Sequence, residues 1–219
     1  MSLAEFITKT LTLDDPDQLF SCYLDALGEY GVDRVLYSAL RNTPNEEVEV
    51  PGISHSYPQD WIEYYMANDY VRLDPVRLHG LSTRFAFTWS DMMRFRDLTP
   101  EQKTLMKQGE DAGLHDGLAL AFHGPMGEVY GIGMASSMAN PEVDKHLKEI
   151  QVLSTQFHVL YSALHDHGQT VSDTVLTARE SEVLKWCAAG KSTWAIGVIL
   201  GITMPGVAFP VRHLLRNLD

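Results

Sequence analysis

The sequence predicts an α/β fold class, in the form of an α+β sandwich with a central antiparallel sheet flanked by helices, and a second, small all-α domain. Three observations predict it. Helical and strand-like patterns are interleaved over the first three quarters of the chain. A polar, glycine-containing stretch without periodicity follows, which is typical of a linker. Three short helical patterns come last. We therefore predict a first domain at 1–166, a linker at 167–175 and a helical domain at 176–219.

The elements of the first domain are indicated by caps and periodicity. Apolar residues recur at helical spacing after Asp15-Pro16, which predicts a helix start. Thr99 predicts an N-cap, with Pro100 at the first helical position. A long helix is expected from about Pro141 to His165. Between these helices the patterns predict a strand at DRVLYSAL, a helix at YPQDWIEYYMANDY, a strand passing into a helix at RFAFTWSDMM and a β-hairpin at GLALAFHGPMGEVYGIGMAS.

The last segment has the pattern of a helix-turn-helix. Thr177 and Glu180 predict a capping box at the start of one helix, and Ser192 caps a second. Gly201 makes the turn, and Thr203 caps the third helix. The apolar positions of that helix are Val207, Val211, Leu214, Leu215 and Leu218. Two helices joined by a glycine-containing turn, the second of them amphipathic, are typical of this DNA-binding motif, although many small helical bundles share it.

Composition limits the classes of partner. With 45% hydrophobic and 21% charged residues the chain can bury a core. The net charge of −12 argues against a general binder of nucleic acids or anionic membranes, because phosphate contacts need clustered Lys and Arg. Residues 173–219 hold five basic and four acidic residues, a sum of +1, which leaves −13 for the rest. The predicted DNA-binding domain is therefore weakly basic at most.

Cellular location and chemistry are also constrained. Cys22 and Cys187 lie in apolar helical patterns and predict free, buried thiols in a reducing cytosol. The N-terminus does not have the pattern of a signal peptide, and no run approaches about eighteen apolar residues, so we expect a cytoplasmic protein without membrane contact. The sequence has no nucleophile motif, phosphate loop or metal-ligand spacing, which predicts no enzyme, no catalytic residue, no cofactor and no metal.

Both domains resemble one family. The segment LTARESEVLKWCAAGKSTWAIGVILGIT resembles the DNA-binding domain of LuxR-type quorum-sensing regulators. The matching positions are Glu180, Leu184, Trp186, Gly190-Lys191, Ile196, Leu200 and Gly201-Ile202. The N-terminal region is similar to the autoinducer-binding domain of the same family, at Tyr57, Trp61, Tyr65, Asp74-Pro75, Trp89 and Gly117. The resemblance covers nearly the whole chain.

This resemblance implies a pocket for an N-acyl-homoserine lactone. In it, Trp61 would donate its indole N–H to the lactone carbonyl, Asp74 would accept from the ligand amide, and Tyr57 would hydrogen-bond the acyl carbonyl. The implied ligand contacts are Tyr57, Trp61, Tyr65, Asp74, Pro75, Val76, Trp89 and Gly133. Gly133 is a departure, since the family usually offers a hydroxyl there. From the residues alone, WIEYY could equally be an aromatic core stripe, LDP an ordinary helix stop, and Gly117 a backbone requirement.

The resemblance also implies DNA contacts, at Lys191, Ser192, Thr203, Gly206, Val207, Arg212 and Arg216. The third helix departs from the family at Gly206-Val207, Ala208, Pro210 and Asn217. Pro210 would remove a backbone hydrogen bond inside the helix, at a cost of about 3 kcal/mol or a kink. The family also continues into a fourth helix that helps this domain dimerise, whereas this sequence stops at Asp219.

Two functions follow. The first is a lactone-responsive transcriptional regulator, which the resemblance implies to be a homodimer on DNA. The alternative is a DNA-silent, lactone-binding antagonist that forms inactive heterodimers with an intact homologue. The degenerate third helix is the feature that separates the two.

Overall fold

The computed structural model describes residues 1–43, 46–47, 54–125, 127–139, 143–166 and 177–207. The chain divides into two compact units, Met1–His167 and Gly168–Asp219. The predicted linker at 167–175 lies outside the described residues. No helix in the described part of the chain is long and apolar enough to cross a membrane.

The first unit contains an antiparallel sheet and seven described helices. The strands are β1 (Arg34–Thr43), β2 (Glu46–Glu47), β3 (Ser54–His55), β4 (Phe87–Thr88), β5 (His115–His123) and β6 (Val129–Ser136). The helices are α1 (Leu3–Thr10), α2 (Pro16–Gly28), α3 (Gln59–Ala67), α4 (Pro75–Gly80), α5 (Trp89–Phe95), α6 (Pro100–Asp111) and α7 (Leu147–Asp166). The predicted α+β sandwich class is therefore confirmed.

Local capping explains where several helices begin. The Thr99 hydroxyl accepts from the backbone N–H of Gln102, whose side chain accepts in return from the N–H of Thr99, so the predicted cap is part of a full capping box. Asp15 caps α2, with Pro16 in its first turn. The long helix predicted from about Pro141 is shorter than expected, because Val143–His146 forms a 3-10 turn and α7 begins only at Leu147.

The strands lie in the order β2-β1-β6-β5-β4, and β3 also pairs with β1. Leu36 of β1 lies opposite Gly133 of β6, and Ser38 lies opposite Gly131. The same two glycines face Ala119 and Ala121 of β5 on their other side. The centre of the sheet thus carries a strip of very small residues. The register of β1 against β6 shifts between Ala39 and Arg41, which places a bulge at Leu40.

The main core lies on one face of the sheet, against α1, α2 and α7. Successive side chains of β1 point to opposite faces of the sheet, and Val35 and Tyr37 point into this core. The ring of Tyr23 on α2 stacks on Phe157 of α7 at a centroid distance of 4.3 Å. The Tyr23 hydroxyl lies 2.6 Å from the Ser154 hydroxyl, which satisfies both polar groups inside the core. The opposite face of the sheet is left for α3–α6.

The second unit contains α8 (Ala178–Ala188) and α9 (Thr193–Leu200), which begin at the predicted caps Thr177 and Ser192. Gly201 ends α9 with φ +63°, a left-handed conformation that glycine adopts without strain. Beyond it, the N–H of Val207 donates to the carbonyl of Thr203, which closes one helical turn. Residues 208–219 lie outside the described part of the chain.

The two thiols differ from each other. Both cysteines are free, and Cys22 is buried in the main core as predicted. Cys187 is only half-buried, which corrects the prediction of a buried thiol. It packs at the edge of the small cluster of Val183, Ile196 and Val207, and a unit of this size has little interior in which to enclose it.

Candidate ligand-binding site

A cavity lies between the second face of the sheet and helices α3–α6. Its space, including its opening to solvent, is about 870 Å³. Most lining residues are apolar or glycine, and the few polar ones converge on it from different elements. The polar and aromatic residues of the lining are Ser38, Tyr57, Trp61, Tyr65, Asp74, Arg77 and Trp89. A mostly apolar cavity with a few convergent polar groups is the usual form of a small-molecule site.

Asp74 is held firmly at the start of α4. Its Oδ1 accepts from the backbone N–H of Val76 at 2.8 Å and of Arg77 at 3.3 Å, which makes it the N-cap of this helix. The Tyr65 hydroxyl donates to Oδ2 at 2.9 Å. An ionised carboxylate oxygen can accept more than one hydrogen bond, so Oδ2 keeps capacity for a ligand N–H.

Burial sets the electrostatics of this cluster. Desolvation raises the pKa of Asp74 above its ordinary value, although hydrogen bonds from Tyr65 and the helix backbone oppose the rise. Burial raises the pKa values of Tyr57 and Tyr65 as well, and the negative charge of Asp74 raises them further. Both phenols are therefore neutral at physiological pH and can donate hydrogen bonds.

Trp61 and Tyr57 contribute two further aromatic side chains to the cavity wall. Trp61 lies on α3 with its ring 6.1 Å from that of Tyr65. A Cβ added at Gly109 of α6 would lie 3.5 Å from the six-membered ring of Trp61, an ordinary van der Waals distance, so α6 packs next to the indole at this residue. Tyr57 and Trp61 are only 9% and 7% exposed, which fixes the orientation of both side chains.

Gly117 has a steric role that the sequence did not reveal. A Cβ added there would lie 2.1–2.3 Å from three carbons of the Trp89 indole. The indole therefore occupies the space that any other residue at 117 would fill. The Trp89 Nε1 is buried and has no hydrogen-bond partner within the described residues. A buried donor without a partner is costly, and Trp89 is one of the residues that line the cavity.

The position of the Tyr57 side chain explains why a glycine occupies position 133. A Cβ added at Gly133 would lie 3.1 Å from the Tyr57 hydroxyl oxygen, closer than ordinary van der Waals contact. The tyrosine hydroxyl thus stands over the position where the family usually presents a hydroxyl side chain. The departure noted in the sequence leaves a polar group at this point of the cavity, supplied by a different residue.

The structure brings together nearly all of the ligand contacts expected from the resemblance. Tyr57, Trp61, Tyr65, Asp74, Val76, Trp89 and Gly133 all line the cavity. Pro75 does not belong to the lining, because it is buried at the first position of α4. The sequence missed Ser38, Leu40, Arg77 and Gly131. The period-two pattern of Leu36, Ser38 and Leu40 could have indicated that these three share one face of β1.

Within the described residues, no group of three or more His, Cys, Asp or Glu could hold a metal ion.

Two family models match the chain. The autoinducer binding domain matches residues 15–167, and the model of bacterial regulatory proteins of the luxR family matches residues 174–219. The chain belongs to the LuxR family of quorum-sensing transcriptional regulators. Proteins of this family are regulators and not enzymes, and their small-molecule ligands are autoinducers rather than cofactors.

Individual relatives agree with this membership. The chain is 29% identical over 218 residues to the HTH-type quorum sensing-dependent transcriptional regulator RpaR of Rhodopseudomonas palustris, covering 98% of this chain and 86% of RpaR. It is 28% identical to the quorum-sensing regulator RhlR of Pseudomonas aeruginosa, covering 94% and 85%.

Solved structures share the fold of this LuxR-type regulator. SdiA in complex with octanoyl-rac-glycerol superposes with a TM-score of 0.69 at 19% identity, covering 95% of this chain and 84% of SdiA. The N-acylhomoserine lactone dependent LuxR family factor CepR2 from Burkholderia cenocepacia gives 0.60 at 16% identity, covering 74% and 95%.

The DNA-binding unit of this LuxR-type regulator shows only part of the expected contact surface. Lys191 and Thr203 are exposed, and Ser192 uses its hydroxyl to cap α9. Val207 does not fit the predicted DNA contact, because its side chain is fully buried against Val183 and Ile196. Gly206 is half-buried, and Arg212, Arg216 and Pro210 lie outside the described residues.

Helix α9 has an uncharged surface with exposed apolar side chains. It contains no charged residue, and Trp194 and Val198 are exposed on it. Arg179 on α8 is exposed, but its guanidinium donates to the Leu200 carbonyl at 2.6 Å and to Glu182 at 2.7 Å. The described basic groups of this unit are thus few, and one of them is used to hold α8 against the end of α9.

Proposed function

We propose that this LuxR-type regulator binds an N-acyl-homoserine lactone in the cavity of its first unit and that the lactone controls DNA binding by the second. The observation that carries the proposal is Asp74, whose Oδ2 is a buried acceptor in the lining of a cavity that also contains Trp61 and Tyr57. A lactone of this class has one amide N–H and two carbonyl oxygens. An ionised aspartate only accepts and an indole only donates, so Asp74 and Trp61 suit opposite parts of that ligand.

The ligands of two proteins with the same fold support this proposal. CepR2 is dependent on N-acylhomoserine lactone, and SdiA was solved in complex with octanoyl-rac-glycerol. Both ligands carry an acyl group on a small polar head. The acyl part fits the apolar lining here, and the donor and acceptor arrangement at Asp74, Trp61 and Tyr57 favours a head group with an amide N–H.

The proposal is tested with purified chain and a panel of lactones. Binding is measured by thermal stabilisation and calorimetry, and the liganded chain is then titrated with duplex DNA at low and moderate salt. Ligand-dependent DNA affinity that falls steeply with rising salt is the expected result, because each phosphate contact releases counterions. Stabilisation by acyl glycerols but by no lactone would contradict the lactone assignment.

A second function has its own supporting observation. The described DNA-binding unit offers few free basic groups, its α9 is uncharged, and Val207 faces inward. On these features we propose, as a second candidate, the DNA-silent antagonist, a lactone-bound chain that pairs with an intact LuxR-type homologue in an inactive heterodimer. Absence of DNA binding at low salt from a folded, ligand-stabilised chain, together with a measurable complex with such a homologue, would replace the first proposal by this one.

Tyr57→Phe tests the acyl carbonyl contact. The substitution removes only the hydroxyl that lies over Gly133, so we expect lactone affinity to fall about 2- to 10-fold, the value of one neutral hydrogen bond. The melting temperature of the unliganded chain should change little. Calorimetry measures the affinity. Tyr64→Phe is the matched control, because Tyr64 is exposed and does not line the cavity; an equal loss in both variants would refute the contact.

A further inference from the structure

We infer that Leu40 is the end wall of the acyl compartment and restricts the ligand of this chain to short acyl groups. The inference rests on the proposed function, because it takes the head group of an acyl ligand to lie at Tyr57, Trp61 and Asp74.

Leu40 lies on the cavity face of β1. Leu36, Ser38 and Leu40 alternate along this strand, and all three line the cavity. Leu36 is at the end near Tyr57, since it lies opposite Gly133, while Leu40 is four residues further along. Leu40 is 7% exposed, so its side chain is packed against neighbours rather than free to move aside.

The side chain of Leu40 fills a socket made of small residues. A Cβ added at Gly131 would lie 2.8–3.0 Å from three side-chain carbons of Leu40, and one added at Gly80 would lie 3.5 Å from its Cδ1. Ala121 belongs to the same buried cluster. The leucine therefore lies directly over Gly131, where glycine alone leaves room for it.

The backbone of Leu40 is also fixed. The strand bulges at this residue, and Leu40 has no paired partner in the register of β1 against β6. The guanidinium of Arg77 on α4 donates to its carbonyl oxygen. A charged donor on a carbonyl is a strong contact, so α4, which also packs against the Leu40 side chain at Gly80, holds the wall in place.

The register gives the length of the compartment. Tyr57 stands over Gly133 and Leu40 over Gly131, two residues apart on β6, which is a separation of about 7 Å. The last methyl group must stop about 3.5–4 Å short of the Leu40 carbons. At about 1.2 Å per bond, about three bonds of a fully extended chain, or a few more of a bent one, therefore fit between the acyl carbonyl and the wall. Acyl groups of about four to six carbons fill this space. Longer acyl groups would have to displace Leu40.

The test compares unsubstituted butanoyl-, hexanoyl-, octanoyl-, decanoyl- and dodecanoyl-homoserine lactones on the full chain and on Leu40→Ala, by calorimetry and thermal stabilisation. Wild type should bind the hexanoyl or butanoyl compound most tightly and lose affinity from octanoyl onward. Leu40→Ala should move the optimum to longer chains and raise the decanoyl-to-butanoyl affinity ratio by about tenfold or more, because it opens space for several methylene groups. Wild-type affinity that does not fall beyond hexanoyl, or an unchanged profile in the variant, would overturn the inference.

Controls keep this test independent of folding and of the head group. Leu36→Ala faces the same cavity near the head group, and it should lower affinity for every length by a similar factor without moving the optimum. Leu40→Val, a smaller change, should shift the profile in the same direction and serves if the alanine variant does not fold. A series of 1-acyl-glycerols is measured in parallel. If lactones fail to bind but the glycerols show the same length limit and the same shift in Leu40→Ala, the end wall stands and the lactone proposal fails.

Discussion

Asp74→Asn is expected to make the unliganded chain more stable at neutral pH and to weaken lactone binding by about 10- to 100-fold. Asparagine can keep the hydrogen-bond partners of Asp74, although it loses the attraction between the carboxylate and the Arg77 guanidinium. Its Oδ1 can still accept from the N–H groups of Val76 and Arg77, and its amide can donate to the Tyr65 hydroxyl. The substitution has two other effects. It removes a negative charge whose burial is unfavourable, and it replaces the acceptor Oδ2 by an NH2 donor at the point where the ligand amide N–H would donate.

The pH dependence separates these two effects. Because burial raises the folded-state pKa of Asp74, the folded chain binds this proton more tightly than the unfolded chain does. Wild-type stability should therefore decrease as pH rises from the ordinary aspartate value through the raised pKa, while Asp74→Asn should show no such decrease. Melting curves of both unliganded proteins measure the difference. They are recorded from about pH 4, which is close to the ordinary pKa of aspartate, to about pH 7.

Ligand binding should show the opposite trend with pH. A ligand N–H that donates to Asp74 stabilises the ionised carboxylate, so the affinity of the wild type should fall as pH is lowered through the raised pKa. Asp60→Asn is a suitable control, since Asp60 is exposed in the first turn of α3 and does not line the cavity. Wild-type and Asp74→Asn affinities that are equal at neutral pH would show that Asp74 does not contact the ligand.

The sequence predicted the elements whose signals are local. Thr99 and Thr177 each lie three residues before the side chain that completes a capping box, so both ends of the motif are visible in one short segment. Asp74 before Pro75 is equally local, and it caps α4 as the turn chemistry of that pair suggests. The ligand role expected of Asp74 came from the resemblance and not from the spacing.

The features that were missed depend on contacts between residues far apart in the chain. Arg77 holds the Leu40 carbonyl across 37 residues, and Gly131 is defined only by the leucine lying over it. The first contact joins a helix side chain to a strand carbonyl, and the second places a large side chain over a glycine on the neighbouring strand. Periodicity within one segment of sequence predicts neither contact. The DNA contact predicted for Val207 disagrees with its burial for a related reason. An apolar residue near the start of an amphipathic helix fits either face until its packing against Val183 is known.

Gly117→Ala is expected to destabilise the chain more than the same change at any glycine that lines the cavity. The added Cβ would lie 2.1–2.3 Å from carbons of the rigid Trp89 indole, so the ring or strand β5 must move. Overpacking of this kind costs about 1–3 kcal/mol. Because Trp89 also lines the cavity, lactone affinity should fall together with the melting temperature. Denaturant unfolding and calorimetry measure the two effects.

A double-mutant cycle assigns the loss to this contact. Trp89→Leu alone removes the ring from the space over Gly117, so adding Gly117→Ala to it should cost much less than adding the same change to the wild type. Gly28→Ala is the matched control, since a Cβ there meets nothing within 4 Å and the residue ends helix α2 with ordinary backbone angles. That variant should be neutral or slightly more stable. If Gly117→Ala costs as little as Gly28→Ala, or if its cost is the same with and without the indole, then the glycine is not required by Trp89, and the wall of the cavity is held by other contacts.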